Sequence, residues 1–569
     1  MTARVQARSF VAPAYALVLA LIVTAPLLAP GYLLLRDAVS TPRSFLSDSA
    51  LGLSEAAPRA LPQDFVVALA SGLIDGGVVV KTLLVTGLFL AGWGAARLTA
   101  TVVPDAGMAG QFVAATITVW NPYVAERLLQ GHWSLLVGYG CLPWVAAATL
   151  RLRTSEAAGR SDVCALVFWI ALAGLTPTGL MLAATVAVAC VFASGSGRPR
   201  WWCTAVGLGA AVLVALPWLA AAAVSDSLSS TQAEGVRAFA VRAEPGLGTL
   251  GSLASLGGIW NADAVPASRT TLFVVIPAVV LLGAVAIGLP TVVRRPVAAP
   301  LLILAAVAVV VPAAMATGPG VAVVEATIRI LPGLGVVRDA QKWVALAVPA
   351  YSLAGAAAVV TLRHRIPAAA TALICCAALL ATLPDLAWGV GGKLTPVEYP
   401  PGWARAAAMI NADPRPVAVL PVDSMRRFAW AGDAPVLDPL PRWVRADVLQ
   451  TGDLTIGGRT VPGEGARARD VQQLLLAGAD HDKLAAAGVG WVVVENTWNT
   501  AWSAPALPLP VAYHDEDLTL YRVGGDHPHL SGRGIVVAAH WVWLGLLMLS
   551  ALVSLLPAWP RRVGSVAIR

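Results

Sequence analysis

The sequence has little charge. Of its 569 residues, 57% are hydrophobic and 12% charged, with a mean hydropathy of +0.73, whereas a soluble globule carries roughly twice that charged share. An ordinary soluble domain is excluded, and a polytopic membrane protein follows. Cysteines are missing where they would staple a fold. Cys141, Cys164, Cys190, Cys203, Cys375 and Cys376 all lie in or beside apolar runs and none falls in the polar stretch after Pro384, so no disulfide framework or cysteine-based metal site is expected. Walker-type phosphate loops, Gly-x-Ser-x-Gly elbows and His-Glu-x-x-His runs are also absent, which removes the chemistries those motifs carry. No apolar run shows the charged, Gly/Pro-broken pairing of an ion-coupled transporter core, and Lys81 is the only lysine within one. The formal charge of +7 sits in the connectors, where topology and anionic lipid headgroups account for it, so no nucleic-acid partner is expected.

What the chain does have is arginine, greatly outnumbering lysine and placed in alternate links. Arg4/Arg8, Arg97, Arg151/Arg153/Arg160, Arg198/Arg200, Arg294/Arg295, Arg363/Arg365 and Arg561/Arg562 are assigned to the cytoplasm by the positive-inside rule. Apolar runs long enough to cross a bilayer lie near 11–34, 79–97, 107–122, 134–150, 163–177, 178–195, 203–224, 271–293, 298–317, 343–362, 366–384 and 536–557. The expected fold is thus mainly α, a polytopic membrane protein of about twelve transmembrane helices with both termini inside. The first span reads as retained, since no small-residue cleavage site precedes Arg36. Between the first two spans, Phe65 to Ala70 followed by Leu73-Ile74 suggests a helix lying along the interface. After Pro384, Val417–Pro421, Trp491–Glu495 and Leu518–Val523 read as strands and Val471–Ala487 as a helix, together a smaller extracytoplasmic α/β domain. The expected division is 1–384 (membrane domain with outer loops), 385–535 (α/β domain) and 536–569 (final span and cytoplasmic tail).

Three outward-facing motifs could carry chemistry. Arg36-Asp37 lies where the first span emerges. A carboxylate there, beside an apolar wall, can act as a base, and its arginine neighbour can bind an anion; an incidental interfacial pair is the alternative. Charge is dense in the same loop, with Arg43, Asp48, Glu55, Arg59 and Asp64. The segment Gly335 to Trp343 places Arg338 and Lys342 on the face that disfavours positive charge. A lipid phosphate explains them: Arg338 can fork two bonds to it while Lys342 adds a point charge a turn away. The alternative pairs Arg338 with Asp339 and leaves Lys342 snorkelling. The third motif, Trp120 to Trp133, places Tyr123, Glu126, Arg127 and His132 among aromatics. That mixture suits sugar hydroxyls and ring faces, and equally an aromatic belt. His132 has no partner at zinc-ligand spacing, so no metal site is expected.

On these residues the chain resembles the GT-C superfamily of membrane glycosyltransferases. The run Asn121-Pro122-Tyr123-Val124-Ala125-Glu126-Arg127-Leu128 followed by Leu142-Pro143-Trp144, with the Arg338–Trp343 segment, is similar to the membrane region of actinobacterial α-(1→3)-arabinofuranosyltransferases. The likeness covers roughly residues 10 to 385, and the large carbohydrate-binding modules of that family are missing. It implies inverting transfer of a sugar, arabinofuranose first, from a polyprenyl-phosphate donor to a cell-envelope glycan on the outer face of the cytoplasmic membrane. Asp37 would be the base. Arg338, Lys342 and Arg36 would hold the donor phosphate, and Glu126, Arg127, His132 and Tyr123 would line the sugar and acceptor pocket. Membrane lipids and the two glycan substrates are the implied partners, and a divalent cation is left open as a cofactor. A mannosyltransferase of the same superfamily, a flippase of lipid-linked glycan and a scaffold protein remain alternatives.

Overall fold

The computed structural model describes residues 2–54, 60–225, 233, 235–422, 424–456, 459–478, 480–497, 507–526 and 532–555. Glu55, Arg59 and the Arg561/Arg562 pair lie outside them.

Helices stand at all twelve positions expected to span, but they are not twelve equal spans. Among the described residues eight are long and apolar enough to cross a membrane: Phe10–Leu28, Gly76–Val102, Trp133–Thr154, Arg200–Ser225, Leu272–Val293, Pro296–Met315, Ala340–Leu362 and Arg533–Leu555. A ninth is reached only if Ala368–Thr382 and Pro384–Gly392, bent by 73° to each other, count as one. The count of about twelve is corrected accordingly. Gly107–Val119, Arg160–Ala173 and Pro177–Val191 have 13, 14 and 15 residues. At ~1.5 Å per residue they fall short of a ~30 Å hydrocarbon core. They pack against the longer helices, and the 163–195 run is divided where Thr176 caps the Gly179 amide at 3.0 Å, with Pro177 as the first helical residue. The chain is a polytopic membrane protein.

Charged side chains near the ends of the spans are tied down. Lys81 donates to the Ala29 and Gly31 carbonyls at 2.8 and 3.0 Å, closing the end of the first span. Arg153 donates to the Val191 and Ala193 carbonyls at 2.9 and 3.0 Å, satisfying the open end of Pro177–Val191. A helix forms where the interfacial one was expected, at Gln63–Ala70, with Phe65 buried and Leu73 and Ile74 exposed beyond its end.

The polar region builds a five-stranded sheet in the order Val511–His514, Leu518–Arg522, Trp491–Glu495, Val417–Leu420, Val448–Leu449. The last three run parallel and the first two join antiparallel. The helix expected over Val471–Ala487 is two, Ala466–Leu476 and His481–Ala486. Gly478 turns left-handed between them (φ 72°), and Asp480 caps the second through the Lys483 amide at 3.0 Å. This region is stitched to the membrane part along the first loop: Tyr32 and Val397 exchange backbone hydrogen bonds at 2.8 and 2.9 Å, and Arg36 does so with Pro435 and Leu437 at 2.9 Å each.

Candidate active site

Leu34–Leu35 pairs antiparallel with Ala38–Val39, so Arg36 and Asp37 are the two turn residues of a tight hairpin. Arg36 is left-handed (φ 49°), a conformation that such turns normally give to glycine. It is held there at several points: its backbone bonds residues 435 and 437, and its buried guanidinium donates to the carbonyls of Leu129 and, at 2.7 Å, Asp263. Both acceptors are backbone oxygens, so Arg36 braces the hairpin across two other loops. The anion-binding role expected of it loses those donors.

Facing the hairpin is a short helix, Pro122–Gln130, within the outward-facing link between two expected spans. Asn121 caps it through the Val124 amide at 3.1 Å with Pro122 at the first position, and Gly131 ends it left-handed at φ 83°. A Cβ on Gly131 would run into the Ala38 amide and the Leu35 carbonyl. Glycine therefore lets the helix end touch the hairpin, and the Asp37 amide donates to the Gln130 carbonyl at 3.1 Å.

Across this contact Asp37 meets its partners. His132 Nε2 lies 2.9 Å from Asp37 Oδ2, and Gln130 Nε2 donates to the same oxygen at 3.0 Å. Oδ1 has no hydrogen-bond partner among the described residues, and the side chain is 35% exposed, so the carboxylate is accessible. Burial alone would raise the Asp37 pKa; the hydrogen bonds from His132 and Gln130 and the charge of Lys342 outweigh it and hold the carboxyl below its ordinary range. His132 is shifted down as well, by burial first and by the nearby positive Lys342 and Arg127, against the pull of Asp37. At neutral pH the pair is a carboxylate and a neutral imidazole.

Behind His132 the polar groups are enclosed. Arg127 forks to Asp339 at 2.8 and 3.1 Å, reaches His132 Nδ1 at 3.1 Å and donates to Gln341. Gln341 in turn donates to Glu126 at 3.0 Å, and Glu126 also accepts from the Gly258 and Ile259 amides at 3.2 and 3.1 Å. Burial and the nearby Glu244 carboxylate push the Glu126 pKa up to about 8. Glu244 forms its own buried pair with Arg269. Tyr123, Glu126 and Arg127 are fully buried. The structure puts these three behind the surface that carries Asp37, because their polar atoms are already bonded elsewhere, Tyr123 to the Lys342 carbonyl, Glu126 to Gln341 and Arg127 to Asp339 and Gln341; of that motif Gln130 and His132 reach Asp37.

Of the basic pair, Lys342 lies 3.6 Å from Asp339 and keeps 21% of its side chain accessible. Arg338 stacks its guanidinium over Phe239, 4.3 Å from the ring centre. Asp339 thus pairs with Arg127 and Lys342, and the pairing with its sequence neighbour Arg338 is not the one formed. Among the described residues no three His, Cys, Asp or Glu side chains converge as metal ligands, and Asp37 with His132 supplies only two. Gln130, Gln341, Glu244 and Arg269 were missed by sequence reading; their partners are far along the chain and nothing local marks them.

No protein-family model and no curated protein matches the chain. Its fold does match a cryo-EM structure of a mutant of the arabinofuranosyltransferase AftD from Mycobacteria, over 93% of this chain and 42% of that one, with a TM-score of 0.50 and 18% sequence identity. The chain has the fold of part of AftD. A second cryo-EM class of the same AftD mutant covers the same shares at a TM-score of 0.48 and 17% identity. The chain therefore spans less than half the length of AftD, and the likeness agrees with the resemblance to arabinofuranosyltransferase membrane regions drawn from its motifs.

Proposed function

We propose that the chain is a membrane glycosyltransferase of cell-envelope glycan synthesis, moving a sugar from polyprenyl phosphate to a glycan hydroxyl with inversion, and that arabinofuranose is the sugar. The observation that carries this reading is Asp37, an accessible carboxylate with one oxygen saturated by His132 and Gln130, the other without a partner among the described residues, and the charge of Lys342 acting on it. In the proposed step the acceptor hydroxyl oxygen attacks the anomeric carbon and its proton passes to Asp37. The bond from that carbon to the phosphate oxygen breaks, and polyprenyl phosphate leaves with the electron pair. Lys342, with Arg338 near it, offsets the charge that develops on the phosphate. An apolar groove of about 310 Å³ supports a place for the prenyl chain. It is lined by Leu289, Leu302, Val309, Tyr351 and Ala354, and its Tyr351 wall belongs to the helical stretch that begins beside Lys342.

The test is incubation of purified protein with a panel of radiolabelled polyprenyl-phosphate sugars and a short glycan acceptor. Transfer from the arabinose donor supports the reading; transfer only from a mannose donor replaces the sugar, and no transfer from any donor removes the enzyme reading. Each charge-assisted phosphate contact contributes about 1.5–3 kcal/mol, so Arg338→Ala or Lys342→Ala alone should weaken donor binding by roughly ten-fold or more in nanodiscs. Unchanged affinity would reduce the pair to an interfacial anchor.

A further inference from the structure

Asp37 is reached from the buried polar cluster through a single ring. A guanidinium offers only N–H donors, so the His132 Nδ1 that faces Arg127 at 3.1 Å must present its lone pair. The ring proton is then on Nε2, pointing at Asp37 Oδ2 2.9 Å away. The charged groups around the ring are Asp37 on the hairpin, Arg127 on the helix behind, and Asp339 and Lys342 on the segment before the Ala340–Leu362 span. Arg127 cannot swing away, because Asp339 grips it at two points and Gln341 at a third. A proton on Nδ1 would set N–H against N–H and add charge beside two cations.

We infer that Arg127, locked by Asp339, is a positioning residue that holds His132 as the neutral Nε2–H tautomer and thereby dedicates Asp37 Oδ1 to the acceptor hydroxyl. This rests on the reading of Asp37 as the transfer base. The arrangement orients the carboxylate with a neutral donor. An imidazolium in that place would hold the carboxylate more tightly and make it a weaker base.

The experiment is ¹⁵N-histidine spectroscopy of the full chain in nanodiscs, with the His132 signal assigned by its loss in His132→Gln. The expected result is an Nε2-protonated ring that does not titrate between about pH 5 and 8. In Arg127→Gln, with Nδ1 free to take a proton and one neighbouring cation gone, the ring should titrate at a higher pH than in the native chain. Transfer by that variant should fall roughly ten-fold or more in kcat with little change in acceptor KM, and acquire an acid limb at the same pH. Combining Arg127→Gln with His132→Gln should remove that limb, since an amide donates without titrating. If Arg127→Gln does not fold, the native ring still decides: an Nδ1-protonated or titrating His132 overturns the inference. The spectroscopic arm needs no turnover. The expected tautomer in a protein without transfer activity would sink the transferase reading alone, whereas the wrong tautomer in an active protein would sink the inference alone.

Discussion

Asp37 owes its proposed chemistry to the difference between its two oxygens, one committed to His132 and Gln130 and one open. Asp37→Asn keeps the shape but cannot take a proton, so transfer should drop on the order of 100-fold or more with donor binding kept. Near-normal turnover would move the base elsewhere. The pH profile separates Asp37 from its neighbour. The carboxyl is held below its ordinary range, so it stays ionised, and transfer stays flat, from neutral pH down to below about 4 in the short assays that folding allows. A midpoint above the ordinary carboxylate range would mark His132 as the titrating base instead. Residue types at the site were legible in the sequence because an acid at an interface and basic residues on the disfavoured face are both anomalies. Their partners were not. Arg127 and Asp339 are 212 residues apart, and an ion pair closed over that distance leaves no mark on either local sequence.

At the scale of elements, the site depends on one contact between a helix end and a hairpin turn. Gly131→Ala would force a Cβ into the Leu35 and Ala38 backbone at a left-handed position. It should shift Gln130 and His132 away from Asp37, cost about 1–3 kcal/mol of stability, and lower transfer while leaving donor affinity near normal. Thermal unfolding and the transfer assay read these two effects separately, and an unperturbed kcat would show that the contact does not set the geometry. Helix positions were legible because runs of apolar residues mark them. Helix lengths were less so, since hydropathy does not say where a cap interrupts a run. Asn121-Pro122 places such a cap and turns one presumed connector into a helix packed against the hairpin, whereas the Thr176-Pro177 cap falls at the break already expected between 163–177 and 178–195. The polar region showed its strands through runs such as Trp491–Glu495, while the Gly478 break inside a helical pattern was passed over.

For the whole molecule, the arginine pattern predicts that Asp37 and the five-stranded sheet face away from the cytoplasm. Cysteines placed at the exposed positions Asp433 and Arg294, with Cys164 and Cys375 replaced by serine, test this in intact cells. An impermeant reagent should label position 433 and spare 294, and the reverse would invert the protein. Composition made the membrane class plain from the outset, yet nothing in it revealed that the late polar region supports the early loop. The Arg36 backbone is fastened to Pro435 and Leu437. A ribosome adding roughly 5–20 residues per second reaches those partners on the order of tens of seconds after Arg36 has been made. For that interval the nascent chain carries its carboxylate without the strand that shapes the turn around it. The last third of the chain thus acts as a timer on the first: under the proposed chemistry, a product released before residue 435 would be embedded in the bilayer and yet inert.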